Sequence, residues 1–272
     1  MQKIDKTINI KAYNSIEALG NFSSPEEIAA YRARRKARCA PVASFIAQRR
    51  AQPTDKCSVA EVGSGSSALL YQLAAEGILK KAVGIELSKS RFDFAERWKA
   101  DEHHSCVTNI NQDFSSVDLA PDGFDWFIVI DNTFTYLYPE DPAYPGLLLQ
   151  RAFTALRKGG RVLLDFINYD RRTPNIEIQQ WNIFPKADPF AYGLYSHKIV
   201  AGINTTERIF IKRYRQRQER KLELSKVYSL DDISRLLSAS GFRVTEAYAS
   251  FTGETYQRDV SERLVVVGEC MK

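Results

Sequence analysis

The sequence predicts a doubly wound α/β fold, on two observations. From Cys57 onward short apolar runs alternate with helical stretches: SVAEVG, SALLYQLAAEG, AVGIEL and SKSRFDFAERWKA read as strand, helix, strand, helix. The apolar runs are also continuous along their length, as expected of parallel strands covered by helices on both faces.

Before this alternation, residues 25–52 carry an amphipathic helical pattern. Ser24 serves as its N-cap, Glu27 follows three residues on, and an interruption is expected at Pro41. Within the core, strands are expected at Cys106–Ile110, in FDWFIVID (Phe124–Asp131) and in RVLLDF (Arg161–Phe166), with a helix over residues 146–157. The alternation then stops. Residues 167–195 read as an aromatic loop containing Tyr169, Trp181, Phe184, Phe190, Tyr192 and Tyr195. SHKIVAGI, ERIFIKRYR and KLELSKVYSL follow as three strands of a small antiparallel sheet. SLDDISRLLSASGF is a helix capped by Ser229 and stopped at Gly241, and RVTEAYASF and ERLVVVGEC close the chain as strands. The expected division is a helical cap over 1–56, a core over 57–166 and 227–272, and an inserted antiparallel lid over 167–226.

Composition bounds the function. With 44% hydrophobic and 26% charged residues in 272, the chain can bury a full core. No apolar run approaches the roughly 20 residues of a membrane span, and the amino terminus lacks a signal-peptide core, so a cytoplasmic protein with no membrane partner is expected. Cys39, Cys57, Cys106 and Cys270 form no CxxC pair, and the histidines are only His103, His104 and His197, so no metal site is expected. Basic residues concentrate at the flanks: residues 1–57 hold eleven against five acidic, and residues 207–226 hold eight against three. This pattern fits a nucleic-acid surface, but solvated peripheral faces look the same, and that reading is preferred. The basic strand around Arg208, Lys212, Arg213, Arg215 and Arg217 is expected to face solvent, although it would attract an anionic substrate if turned toward a cleft.

The most informative motif is Glu61-Val-Gly63-Ser-Gly65-Ser-Ser67-Ala68, at a strand-to-helix turn. It fits the GxGxx(G/A) dinucleotide fingerprint, and Glu86 ends the next strand roughly 20 residues later, where a carboxylate accepts hydrogen bonds from ribose hydroxyls. Glu61 favours one ligand class over another. A carboxylate about 4 Å from a pyrophosphate is repelled by roughly 4 kcal/mol at an effective dielectric near 20, whereas it favours an ammonium group.

With these residues the sequence resembles the class I S-adenosylmethionine-dependent methyltransferases, over about residues 57–166 and 227–269. The resemblance implies a seven-stranded Rossmann-like sheet with a seventh, antiparallel strand at the sheet edge, which ERLVVVGEC can supply with the preceding RVTEAYASF. It also implies cofactor contacts at Glu61, Gly63, Gly65 and Glu86, with Asp113 on the adenine amino group and Phe114 on the ring face. Asp131, at the fourth strand end, would face methionine and substrate. Ser67 replaces the family's third glycine and is expected to enter the first helical turn. Tyr13 and Arg34 resemble the Tyr and Arg that related enzymes place on the methionine carboxylate, with Arg32, Arg35 and Arg38 as rivals on the same helix.

The segment from Asp131 to Leu137 lacks both prolines of the (D/N)PP(Y/F) motif of nucleic-acid amino methyltransferases. It looks closer to glycine and sugar N-methyltransferases, which implies N- or O-methylation of a small-molecule metabolite, with S-adenosylhomocysteine as product. His197, in the lid, is the candidate general base because an unperturbed imidazole titrates near neutrality. Tyr136 is a candidate catalytic residue, and Tyr192 and Tyr195 are candidates for substrate binding through their aromatic faces. RNA methylation and an NAD-dependent oxidoreductase stand as the alternatives, the first predicting salt-sensitive polynucleotide binding.

Overall fold

The computed structural model describes residues 17, 19–50, 52–184, 190–212 and 218–272. Seven strands form the core sheet: β1 (Cys57–Val62), β2 (Leu79–Ile85), β3 (Val107–Ile110), β4 (Phe124–Val129), β5 (Leu156–Ile167), β10 (Phe242–Tyr248) and β11 (Arg263–Cys270). They lie in the order β10-β11-β5-β4-β1-β2-β3. The first five are parallel, and β11 is antiparallel to both β5 and β10. ERLVVVGEC therefore does not take the edge. Its run Leu264–Val267 is fully buried, which suits an internal strand, and the more polar β10 takes the edge instead.

Helices cover both faces. On one side α1 (Pro25–Ala47), α2 (Ala68–Ala75) and α3 (Lys89–Glu102) bury Phe45, Ile46, Leu70, Tyr71, Phe94 and Trp98. On the other, α4 (Thr133–Glu140), α5 (Tyr144–Ala155) and α6 (Leu230–Ala239) bury Phe134, Leu148, Leu149, Ile233 and Leu237. Ser24 caps α1 by accepting from the Glu27 amide at 3.3 Å, and Ser229 and Asp232 form a capping box on α6.

The expected break at Pro41 is absent, and α1 runs through it. An interior proline removes one hydrogen bond at a cost of about 3 kcal/mol. Beyond it Val42, Phe45 and Ile46 are buried, each worth about 1.5–3 kcal/mol, so the continued helix is favoured.

A second sheet of order β6-β7-β8-β9 comprises β6 (Ile178–Ile183), β7 (Phe190–Val200), β8 (Ile203–Lys212) and β9 (Gln218–Lys226), all antiparallel. β6 lies inside the stretch expected to be loop. Its sequence IQQWNI has no apolar alternation because most of it is exposed, so its extended form comes from pairing with β7. SHKIVAGI is not one strand: Ala201 and Gly202 both have positive φ (50° and 72°) and turn β7 into β8. Arg213, Arg215 and Arg217 lie outside the described residues. No described helix is long and apolar enough to cross a membrane.

Candidate active site

The glycine turn follows β1 directly. Gly63 and Gly65 adopt left-handed backbone (φ 72° and 58°), and a Cβ on Gly63 would stand 2.5 Å from Thr133 Cγ2. Only glycine lets the turn approach the start of α4 this closely. Ser67 does not enter the first turn of α2. It is the N-cap, fully buried, at φ 56°, and its Oγ donates to Asn109 Oδ1 at 2.7 Å. That bond holds a conformation costing an L-residue about 1–2 kcal/mol.

A second strained turn faces the first. Asp131 and Asn132 are consecutively left-handed (φ 55° and 73°) between β4 and α4. They are fixed by the Asp131 amide donating to Asp165 Oδ2 and by Asn132 Oδ1 accepting from the Ile167 amide. Asp165 is held in turn by Arg263, whose Nε and Nη2 donate to its two oxygens at 2.7 and 2.6 Å. Strain of this kind, over-determined by its surroundings, is typical of functional sites.

Between the two turns lies a cavity of about 360 Å³, within the roughly 300–1,000 Å³ of small-molecule sites. Glu61, Gly63, Gly65, Glu86, Asp113, Phe114, Asp131 and Tyr136 all line it, and so do Arg35, Arg38 and Arg91. Glu61 is buried, and its Oε2 has no hydrogen-bond partner among the described residues. Burial pushes its carboxyl up to about 8; Arg35 opposes the rise, while Glu86 and Asp131 add to it. Glu86 accepts the Gly65 amide on one oxygen and the Ser88 amide on the other, at 2.8 and 2.6 Å. Burial raises its pKa as well, against the pull of Arg91 and these two amides. Asp131, whose side chain is 52% exposed, stays below the usual carboxylate range because Arg38, Arg35, Arg263 and Arg91 outweigh its desolvation, with Arg38 Nη2 at 3.1 Å. Asp113 caps a short 3₁₀ turn by accepting the Ser115 amide, which sets Phe114 at the cavity wall with its ring edge-on to Tyr144.

Several expected residues lie elsewhere. Tyr13 is outside the described residues. Arg34 stacks on the Tyr31 ring at 5.0 Å and does not line the cavity, whereas Arg35 and Arg38 do. Helical spacing carries the distinction: positions 35, 38, 39 and 42 share the face that meets the glycine turn. Tyr192 is 47% exposed on the outer face of the second sheet, beside Ile183. Its expected aromatic contact to a ligand in this cavity is therefore not available. Tyr195 is on the inner face, stacked near His197, with the Arg208 guanidinium 5.2 Å from its ring centre. His197 does not line the cavity. Its Nδ1 pairs with Thr206 Oγ1 at 2.9 Å, and burial, with Arg172 and Arg208 nearby, lowers its pKa to about 4. The near-neutral titration that recommended it as a base is lost.

Glu17 carries no local sequence signal yet lies buried between α1, α3 and the glycine turn. It is fully buried and accepts hydrogen bonds from the Tyr31 and Ser66 hydroxyls and from Arg91 Nε, with Arg35 Nε at 3.6 Å. Against burial, Arg91 and Arg35 lower its pKa to about 2. No group of His, Cys, Asp and Glu suited to a metal occurs among the described residues.

With this geometry established, the chain belongs to the methyltransferase-domain family, whose model matches residues 53–221. A methyltransferase of Geobacillus sp. (strain WCH70) is 24% identical over 216 residues, covering 78% of this chain and 83% of the relative. Among solved structures, the CcbJ methyltransferase of Streptomyces caelestis superposes with a TM-score of 0.76 at 16% identity, covering 98% of this chain and all of that one. An amino pentose methyltransferase of Micromonospora echinaspora, solved with S-adenosylmethionine bound, gives 0.65 at 17% identity, covering 91% and 98%. These two likenesses are of fold.

Proposed function

We propose that the protein transfers the methyl group of S-adenosylmethionine to a nitrogen or oxygen of a small metabolite in the cytoplasm. The observation that carries this reading is Glu61, a buried carboxylate in the cavity wall with one oxygen lacking a partner among the described residues. A ligand ammonium stabilises the ionised form that burial disfavours, whereas a pyrophosphate can only oppose that ionisation. The other lining residues suit the same ligand: Arg35 for a carboxylate, Glu86 for ribose hydroxyls, and Asp113 with Phe114 for adenine.

S-adenosylmethionine supplies an electrophilic methyl on a sulfonium for in-line displacement. The chain itself has to align donor and acceptor and exclude water. The turn at Asp131–Asn132 and the helix α4 that it starts are the aligning parts in this reading, and the second sheet, packed through β9 on α4, is the lid. The amino pentose acceptor of the Micromonospora neighbour supports a small polar acceptor.

Calorimetric titration tests the assignment. S-adenosylhomocysteine is expected to bind with micromolar affinity and NADH not at all. Binding of NADH alone would replace this reading with an oxidoreductase.

A further inference from the structure

The inner face of the second sheet is unusual for a buried surface. Asn204, Thr206, Lys221, Glu223, Ser225 and His197 are all buried there, where a sheet packed on a helix normally presents apolar side chains. Asn204 donates to Thr206 and Ser225, yet its fully buried Oδ1 has no partner among the described residues. Such a surface is built to meet polar groups.

One contact joins this face to the cavity. Tyr136, which lines the cavity from α4, donates its hydroxyl to Glu223 Oε2 at 3.3 Å. Glu223 is 2% exposed, and Arg208 Nη2 lies 2.6 Å from the same oxygen. Glu223 does not itself line the cavity, so it acts there through the phenol, and its pairing with Arg208 keeps it ionised. An ionised carboxylate only accepts hydrogen bonds. Tyr136 must therefore donate to it, which turns the phenol oxygen into an acceptor toward the cavity.

We propose that Glu223 is a positioning residue that fixes Tyr136 as a hydrogen-bond acceptor for the N–H of an amine, making this an N-methyltransferase. The proposal rests on the methyltransferase reading above. A phenol oxygen held this way orients a nucleophile but does not remove a proton from an alcohol. Asp131, the carboxylate of the facing turn, is paired with Arg38 at 3.1 Å and surrounded by further arginines, which makes it a poor base, and His197 is paired to Thr206 outside the cavity. An amine needs no such base once neutral. Its ammonium form loses one proton to solvent, the nitrogen lone pair forms the new N–C bond, and the C–S bond breaks with its electrons going to sulfur. The products are a protonated methylamine and a neutral thioether.

The test uses amino sugars and their hydroxyl counterparts as probes, with products weighed by mass spectrometry. Probe binding is measured calorimetrically in the presence of S-adenosylhomocysteine. The wild-type protein is expected to bind and methylate an amino sugar and not its counterpart. Glu223→Gln and Tyr136→Phe are each expected to weaken amine binding and lower kcat/KM by about tenfold or more. S-adenosylhomocysteine affinity should hold in both variants and the melting temperature in Tyr136→Phe, while Glu223→Gln, which leaves Arg208 without its carboxylate, should melt lower; Glu223→Asp should restore part of the loss. The double variant should lose no more than Tyr136→Phe alone, since the two residues act as one unit. Additive losses, methylation of the alcohol, or no binding of any amine by protein that binds S-adenosylhomocysteine would overturn the proposal and leave the methyltransferase reading standing. Failure to bind S-adenosylhomocysteine at all would instead remove the reading beneath it.

Discussion

Arg91 reaches from α3 to Glu17, its Nε donating to Oε2 at 2.8 Å, and so fastens the segment before α1 to the glycine turn. Ser66 of that turn donates to the other oxygen of the same carboxylate at 2.9 Å. The carboxylate thus couples Glu17 to α3 and to the strand-to-helix turn that lines the cavity.

A stability profile should report this coupling. The folded carboxyl titrates at about 2 rather than 4.5, so its stabilisation is present above pH 4.5 and is lost as pH falls toward 2. The shift corresponds to roughly 3 kcal/mol. Glu17→Gln is expected to lower the urea-unfolding free energy by about that amount at pH 7, with the difference closing below pH 4.5. A deficit that stayed constant with pH would show that the charge is not what these contacts contribute.

Glu61 gives the opposite sign. Its carboxyl is raised to about 8, so at pH 7 it is mostly protonated, and an ammonium ligand must displace that proton. Binding of S-adenosylhomocysteine should therefore release close to one proton at pH 7, and affinity should rise with pH until about 8. Calorimetry in buffers of different ionisation enthalpy measures the release. Glu61→Gln should abolish it, and a wild-type titration with no proton exchange would contradict the assigned contact.

The core sheet was legible because burial on both faces leaves continuous apolar runs, and the cavity's Glu61, Glu86 and Asp113 were legible because strand ends carry them in fixed order. Features made by pairing left weaker marks. β6 is extended only through β7, the turn at Ala201 interrupts an apolar run that reads as one strand, and β11 gives no sequence sign of which neighbours it takes. Arg34 and Arg35 differ by a single helical step, and only the packing of α1 on the glycine turn selects one of them. Glu17 and Glu223 are charged residues in polar surroundings, and nothing local marks them as buried.

Ser67 separates two contributions that a glycine would merge. Its left-handed backbone costs about 1 kcal/mol relative to glycine, and its hydroxyl bond to Asn109 returns a similar amount. Ser67→Ala keeps the strain and loses the bond, so it should destabilise by about 1–3 kcal/mol. Ser67→Gly loses the bond and the strain together and should lie within about 1 kcal/mol of wild type. Denaturant midpoints of the two variants compare them directly, and alanine proving the milder change would refute this account of the turn.

His197 yields a prediction in acid rather than in catalysis. The folded imidazole is lowered to about 4 from 6.5, because burial and the cations Arg172 and Arg208 oppose its protonation. The unfolded chain takes up a proton at pH 6.5 while the folded one does not. Stability from this group is therefore complete above pH 6.5 and drains away as pH falls to 4, by at most roughly 3 kcal/mol. His197→Gln keeps a hydrogen-bonding group for Thr206 and adds no titration, so its melting temperature should fall less than that of wild type across this window. Its turnover should stay within a fewfold, whereas loss of a general base costs about 10² or more. A hundredfold loss of turnover, with a pH–rate limb that disappears in the variant, would return His197 to the reaction.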